Sequence, residues 1–511
     1  MKAAQIALSA GIATVQAANC SESYLTYASV PHPPYSSGKY ELPYMRPAQD
    51  CRTYRVDEIE EVIEKQEKII TDPDLYQLFR NTWPNTVDTT ISWHGHSADN
   101  EDEELAFIVT GDINAMWLRD SANQLQSYKP ILHSSSSSRT EKNDIAALFR
   151  GGINLQARYI RQSPYCNAFQ PPVESGLEPQ RSEQEDVVRP EYDPDFVFEC
   201  KYELDSLAAF LQLSWDYYDA TGDADFFAKY SWKDTIETIL DVAKSMRQGT
   251  SAEDGSVLKS PYNWLRRSDR ATESVPNNGE GDPVRGDIGL IRSFFRGSDD
   301  SCTFQYLIPS NMMLSSYLDK TAGIMRSIDK DLAREMQRMA EEVHQGIEKH
   351  AVIEHPEFGR IYAYEVNGFG GANLMDDANI PSLLSAPHLG YRANPKVYAN
   401  TRKFVLSRSN PYYAYGPVIK AIGGPHLGPG MGWPMAVIAQ IMTSDSDKEI
   451  VAGLKQLLGS TSGLGLMHET VNSHNDTIWT RPWFSWTNGL FGQMILDLGE
   501  KRSHLLKRSY Q

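Results

Sequence analysis

The sequence is short of cysteine, of positive charge and of long apolar runs, and each shortage removes a class of protein. Its 511 residues hold five cysteines, at positions 20, 51, 166, 200 and 302, and no two form a CxxC pair. Zinc ribbons and thioredoxin-like redox motifs are thereby excluded. Lysine and arginine total 49 against 67 aspartates and glutamates, a net charge of −18. Phosphate backbones are bound by positive surfaces, so no nucleic acid is expected as a partner. No run of 18 apolar residues occurs, so no membrane span is expected. There is no Gly-x-Ser-x-Gly elbow and no glycine loop ending in Gly-Lys-Ser/Thr. His468 and His474 are six apart, about 240° around a helix, so the HExxH zinc motif is absent too. With no His/Cys cluster at metal-ligand spacing, neither a metal nor another cofactor is expected.

What is present is aromatic and acidic. Apolar residues make up 41% of the chain, with 10 Trp, 26 Tyr and 17 Phe, enough for a large core and a ring-lined pocket. The N-terminus reads MKAAQIALSAGIATVQAANC: one lysine, a mildly apolar run, then Ala17 and Ala18. This resembles a secretory signal cleaved after about Ala17 or Ala18, so residues 1–18 are expected to target the protein for secretion or the secretory pathway. An odd cysteine count leaves one thiol over. Cys20–Cys51 and Cys166–Cys200 are neighbours in order, which does not assign bridges. Glycosylation sequons begin at Asn19 and Asn475.

Residues 19–54, rich in Pro, Tyr and Ser, read as an extended lead-in; 55–500 read as one catalytic domain and 501–511 as a tail. VDEIEEVIEKQEKII aligns its isoleucines on one helical face, and Asp72-Pro73 break the pattern. Further helical stretches fall near 141–162, 202–220, 224–247, 310–326, 328–350, 395–408, 432–443, 446–458 and 487–498. Strand-like runs are few: 106–110 and 360–364. Strands and helices do not alternate, which excludes a doubly wound sheet or a TIM barrel, and no short period supports a solenoid. The expected class is all-α: an α/α toroid whose loops form a pocket at one end. Residues 99–104, 133–139 and 174–195 look like surface insertions.

Three constellations carry chemistry. TGDINAMWLRDS (110–121) packs two carboxylates, an arginine and a tryptophan into twelve residues. Asp112 and Asp120 could accept sugar hydroxyls, Arg119 could donate a fork of hydrogen bonds, and Trp117 could give a sugar ring its platform. A buried ion pair at a helix start beside a core Trp reads the same way. In SDDSCTFQYLIPSN, Asp299 and Asp300 sit between aromatics, with Asn311 at the end. Two neighbouring carboxyls in an apolar setting push one pKa up, which makes a general acid; an exposed loop or helix cap suits Asp-Asp equally. GLMHETVNSH with TRPWFSWTN supplies His468, Glu469, Arg481 and Trp483. Glu469 could activate a water, or could simply pair with Arg481. Two glycine-rich stretches, one with Asp376-Asp377 and one with His426 and Trp433, read as loops at a pocket rim.

Together these motifs, with YAYEVNGFGGANLMDDANIPSLLS and GPHLGPGMGWPM, resemble glycoside hydrolase family 125 from about residue 55 to 500. The resemblance implies an exo-acting α-1,6-mannosidase on an (α/α)6 toroid, inversion at the anomeric carbon, no metal requirement and a pocket for a terminal mannose. It implies a general acid within Asp299-Asp300, with Asp299 favoured, and a general base at Glu469. It makes the 110–121 stretch part of the sugar-binding wall and a mannose-containing glycan the partner. Two other readings stand beside it. One is a glycan-binding protein without turnover, which would have no use for an acid/base pair. The other is a toroid glycosidase acting on a different α-glycoside.

Overall fold

The computed structural model describes residue 20 and residues 22–132, 144–181 and 185–511. The signal-like segment, the Asn19 sequon and the serine run at 134–138 lie outside the described residues. Helix α1 (Asp57–Glu67) buries Ile59 and Ile63 as its periodicity requires. The Asp72-Pro73 pair that ends this pattern also begins the next helix, α2 (Pro73–Thr82). The Asp72 carboxylate accepts from the amides of Asp74 and Leu75, and Pro73 takes the first helical position, where its missing N–H costs nothing. Helices α3 (Leu118–Gln126), α4 (Ile145–Gln162), α5 (Leu204–Thr221) and α6 (Trp232–Ser245) follow. The expected run 224–247 divides into Ala224–Phe227 and α6. The chain continues through α7 (Ile308–Met325), α8 (Lys330–His350), α9 (Pro395–Val405), α10 (Pro434–Met442), α11 (Asp447–Gly459) and α12 (Ser485–Lys501).

These helices alternate between two rings. α5 and α7 are apolar nearly all round and buried along their length, as inner helices must be. α8 instead buries one stripe, Leu332, Met336, Val343 and Ile347, and shows its charged face to water. α3 packs on α5, α5 on α7, α10 on α12, and α12 closes the ring on α3. α4, α8 and α11 pack against that ring from outside, and α6 packs on α4. The inner place between α7 and α10 in chain order falls to residues 378–386, which are buried but not helical. The fold is an (α/α)6 toroid around one continuous apolar core.

Short strands sit where the inner helices begin. β1 (Met116–Trp117) runs straight into α3, β2 (Tyr306–Leu307) into α7, and β3 (Met431–Gly432) lies just before α10. β3 pairs with β4 (Thr470–Asn472), which pairs with β5 (Asn475–Thr480). Two disulfides, Cys20–Cys51 and Cys166–Cys200, are formed, and Cys302 is a free buried thiol. The lead-in is not merely extended: it forms a helical turn at Tyr24–Tyr27. It then packs Ala28 and Met45 against Leu466 and Trp483. Among the described residues no helix is long and apolar enough to cross a membrane.

Candidate active site

Several inner helices start at one cavity that opens to solvent. The start of α3 contributes Trp117, Arg119 and Asp120; the start of α10, Trp433; the start of α12, Phe484 and Trp486. The connecting loops add Thr110, Ile113, Gly297, Ser298, Asp299 and Asn379. His426, Glu469 and Arg481 complete the wall. Helix N-termini favour negative charge, which suits carboxylates placed here. The indole nitrogens of Trp117, Trp433 and Trp486 and the Thr110 hydroxyl are buried without a protein partner. Such groups in a cavity wall are available to a polar ligand.

One buried guanidinium organises the floor. Arg119 Nη1 donates to Glu203 Oε2 at 2.6 Å and to Asp205 Oδ2 at 3.2 Å. Its Nη2 lies 3.1 Å from Asp120 Oδ2 and 3.5 Å from Asp299 Oδ1. Glu203 and Asp205 stand at the first turn of α5. Lys201 is held by Glu199 at 3.0 Å. Burial pushes the Asp120 carboxyl up, only partly offset by Arg119, to about 6. Asp299 goes the other way from the sequence expectation of a raised carboxyl. Burial would raise it, but Lys201, Arg119 and a hydrogen bond from Glu203 outweigh burial and hold it at about 2. Burial and the Asp299 charge push Glu203 well above the usual carboxylate range.

The cavity wall also carries Glu469, just before β4, and Arg481, just after β5. Arg481 Nε reaches Glu469 Oε1 at 3.3 Å, and its Nη1 pairs with Asp112 at the rim. Both Arg481 (φ 56°) and Asp299 (φ 66°) hold left-handed backbone, which stores roughly 1–3 kcal/mol per residue and persists where surroundings enforce it. For Arg481 the enforcement is visible: His468, fully buried and stacked on Trp479, places Nδ1 2.9 Å from the Arg481 carbonyl.

Among the described residues no group of three His, Cys, Asp or Glu side chains converges as a metal site. A family model described as metal-independent α-mannosidase (GH125) matches residues 72–496. The chain belongs to glycoside hydrolase family 125. It is 46% identical over 491 residues to the meiotically up-regulated gene 157 protein of Schizosaccharomyces pombe, covering 95% of this chain and 94% of that one. Among solved structures it superposes on a metal-independent α-mannosidase of Streptococcus pneumoniae in a non-productive complex with α-1,6-mannobiose. The TM-score is 0.77 at 30% identity, covering 88% of this chain and 100% of that one. A GH78 rhamnosidase of Bacillus sp. GL1, 11% identical with a TM-score of 0.50 over 84% of this chain and 35% of that one, shares the fold alone.

Within this family 125 site the structure sorts the residues singled out from sequence. Trp117, Arg119, Asp120, Asp299, His426, Trp433, Glu469 and Arg481 share the cavity. Asp300 turns behind it, accepting from Ser298 Oγ at 3.0 Å and lying 3.2 Å from His426 Nδ1. Burial lowers His426, but its contact with Asp300 and the charges of Asp299 and Glu469 carry it up to about 9. Asp377 backs the same Ser298 hydroxyl at 3.1 Å. Asp376 is spent on the amides of Leu383 and Leu384, and Asn311 clasps the backbone of Ile291 and Leu307. Trp483 is buried under the lead-in, its ring edge-on to Tyr24 with centroids 4.8 Å apart. Gly111 (φ 139°) makes room for it, since a Cβ there would come within 2.9 Å of the indole. Lys201, Glu203 and Asp205, Phe484 and Trp486, and Asn379 were not singled out. Trp486 and Phe484 lie inside the quoted TRPWFSW stretch, and Lys201-x-Glu203-x-Asp205 is a charged run at the head of an apolar helix.

Proposed function

We propose that this family 125 mannosidase is an inverting, exo-acting α-1,6-mannosidase in which Asp299 is the general acid and Glu469 the general base. The observation that carries the reading is that both carboxyls line one cavity walled by three tryptophans. A terminal mannose seats among Trp117, Trp433 and Trp486, with Arg119 and Asp120 on its hydroxyls. Asp299 protonates the departing glycosidic oxygen, and Glu469 takes a proton from water attacking the other face. Inversion asks for carboxyls roughly 6.5–9.5 Å apart, leaving space for that water. Asp300 acts at one remove, holding His426 and sharing Ser298 with Asp377. Exo cleavage requires a pocket that admits one terminal residue at a time. Two disulfides and the signal-like leader support a secreted or secretory-pathway protein.

The α-1,6 preference is tested by incubating the protein with α-1,6-, α-1,3- and α-1,2-mannobiose and following free mannose by chromatography. Mannose from the α-1,6 dimer at least tenfold faster than from the others is expected. Equal rates on all three, or turnover of an α-glucoside instead, would reject the linkage assignment.

A further inference from the structure

Under the acid assignment just made, Asp299 has an incomplete proton supply. A general acid must carry a proton when substrate arrives, yet Arg119 and Lys201 both stabilise the Asp299 carboxylate. Its Oδ1 is buried without a hydrogen-bond donor, its nearest ion-pair contact being Arg119 Nη2 at 3.5 Å. The neighbour that fits is Glu203, fully buried, on the same guanidinium and within hydrogen-bond reach of Asp299. Its Oε2 accepts from Arg119 at 2.6 Å and Ser206 at 3.0 Å, and its Oε1 from Asn167 at 3.2 Å.

The charge around the pair decides who holds the proton. From α3 come Arg119 and Asp120; from α5, Asp205; from the segment before it, Glu199 and Lys201, with Arg266 bridging Glu199 at 3.3 Å to Asp186 at 2.7 Å. The cavity wall adds His426, paired to Asp300, and Arg481, paired to Glu469. At the floor itself three cations, Arg119, Lys201 and Arg266, serve the six carboxylates of Asp120, Asp186, Glu199, Glu203, Asp205 and Asp299. Burying that many like charges is costly unless one is neutralised. A proton shared between Glu203 and Asp299 relieves the surplus.

We propose that Glu203 is a positioning residue that stores the catalytic proton for Asp299 and passes it on as the glycosidic bond breaks. Before reaction Glu203 is a carboxylic acid hydrogen-bonded to the Asp299 carboxylate. During reaction the Glu203 proton moves to Asp299, and Asp299 forms the O–H bond to the leaving oxygen. The C1–O bond breaks with its electron pair going to that oxygen. Water forms the new bond to C1 and gives its proton to Glu469. Glu203 ends ionised and Glu469 protonated, and exchange with solvent resets both.

The test compares two substrates in the full-length protein. α-1,6-Mannobiose has a poor leaving group that needs the acid, whereas α-mannosyl fluoride expels fluoride without one. Glu203→Gln keeps a donor toward Asp299 but has no proton to give. It is expected to lose about 100-fold or more in kcat/KM on mannobiose at pH 7, with the alkaline limb of the pH profile moved toward acid. Fluoride turnover should stay within a few-fold. Glu203→Asp, which retains a titrating proton, should restore the limb at reduced kcat; it also serves if the glutamine variant does not fold. Equal losses on both substrates in either variant, with the limb unmoved, would make Glu203 a scaffold residue and overturn the proposal. A wild-type protein that turns over neither substrate would instead defeat the mannosidase reading itself.

Discussion

Two buried arginines each gather carboxylates, and they do so with opposite charge balance. Arg46 forks onto Asp88 at 2.6 and 3.2 Å and onto Glu60 at 2.6 and 2.9 Å, and Arg52 adds a second cation on Glu60 at 2.7 Å. Two cations meet two carboxylates, and the network ties the lead-in to α1. Arg119 meets Asp120, Glu203, Asp205 and Asp299 within 3.5 Å, in a cavity wall. The balanced network is a clamp, because every charge has its partner and nothing is left to react. The unbalanced one holds protons under tension, a state useful only where a proton is to be moved. Buried ion pairs alone therefore do not mark a catalytic centre; the surplus of one sign is what the proposed centre adds.

The comparison breaks most visibly at the chemistry. Glu469→Gln should lower kcat on α-1,6-mannobiose by about 10²–10⁴-fold while its melting temperature stays near that of the unaltered protein, read by circular dichroism. Wild-type release of mannose would remove Glu469 from the base role. The clamp should answer in the opposite currency. Arg46→Ala leaves Asp88 buried with Arg52 as its remaining cation at 3.6 Å and should cost about 3–5 kcal/mol of stability in denaturant titration. The kcat of the folded protein should be unchanged. A smaller effect separates His426 from both. Its pKa of about 9 lies above the unfolded value near 6.5. The stability it contributes is therefore fully present below about pH 6.5 and is lost as pH rises through about 9. Melting temperatures measured from pH 6 to 10 should fall more for the wild type than for His426→Gln, by a few degrees at most because the imidazole is partly exposed.

Much of the site was legible in the sequence because its chemistry is concentrated in short runs. Asp299, Glu469, Trp117, Arg119 and Arg481 each sit in a stretch dense in polar and aromatic groups, where an ion pair, a loop or a helix cap reads the same way until the fold brings them to one cavity. The residues that escaped did so for identifiable reasons. Glu203 meets Arg119 from 84 residues away, and a charged residue at the head of a helix reads as capping whether or not it faces a cavity. Trp483 and Trp486 are three apart, yet one faces the lead-in and the other the cavity; which does which depends on where α12 begins. Asp376, Asn311 and His468 lie in the same dense motifs but spend their polar atoms on backbone groups, a use that side-chain identity does not reveal. In the fold, Asp72-Pro73 read as an ending and is also a beginning. The non-helical stretch at 378–386 fills an inner position that a periodicity search has no means to find.

The central claim is that Asp299 and Glu469 work from opposite faces of a mannose ring, with water placed between the sugar and the glutamate. Proton NMR of α-1,6-mannobiose hydrolysis, followed from the first seconds before the product mutarotates, reads this directly. The account predicts β-mannose as the first anomer to appear, with the α form growing in later. If α-mannose appears first, the reaction proceeds with retention and the water-activating role of Glu469 is wrong.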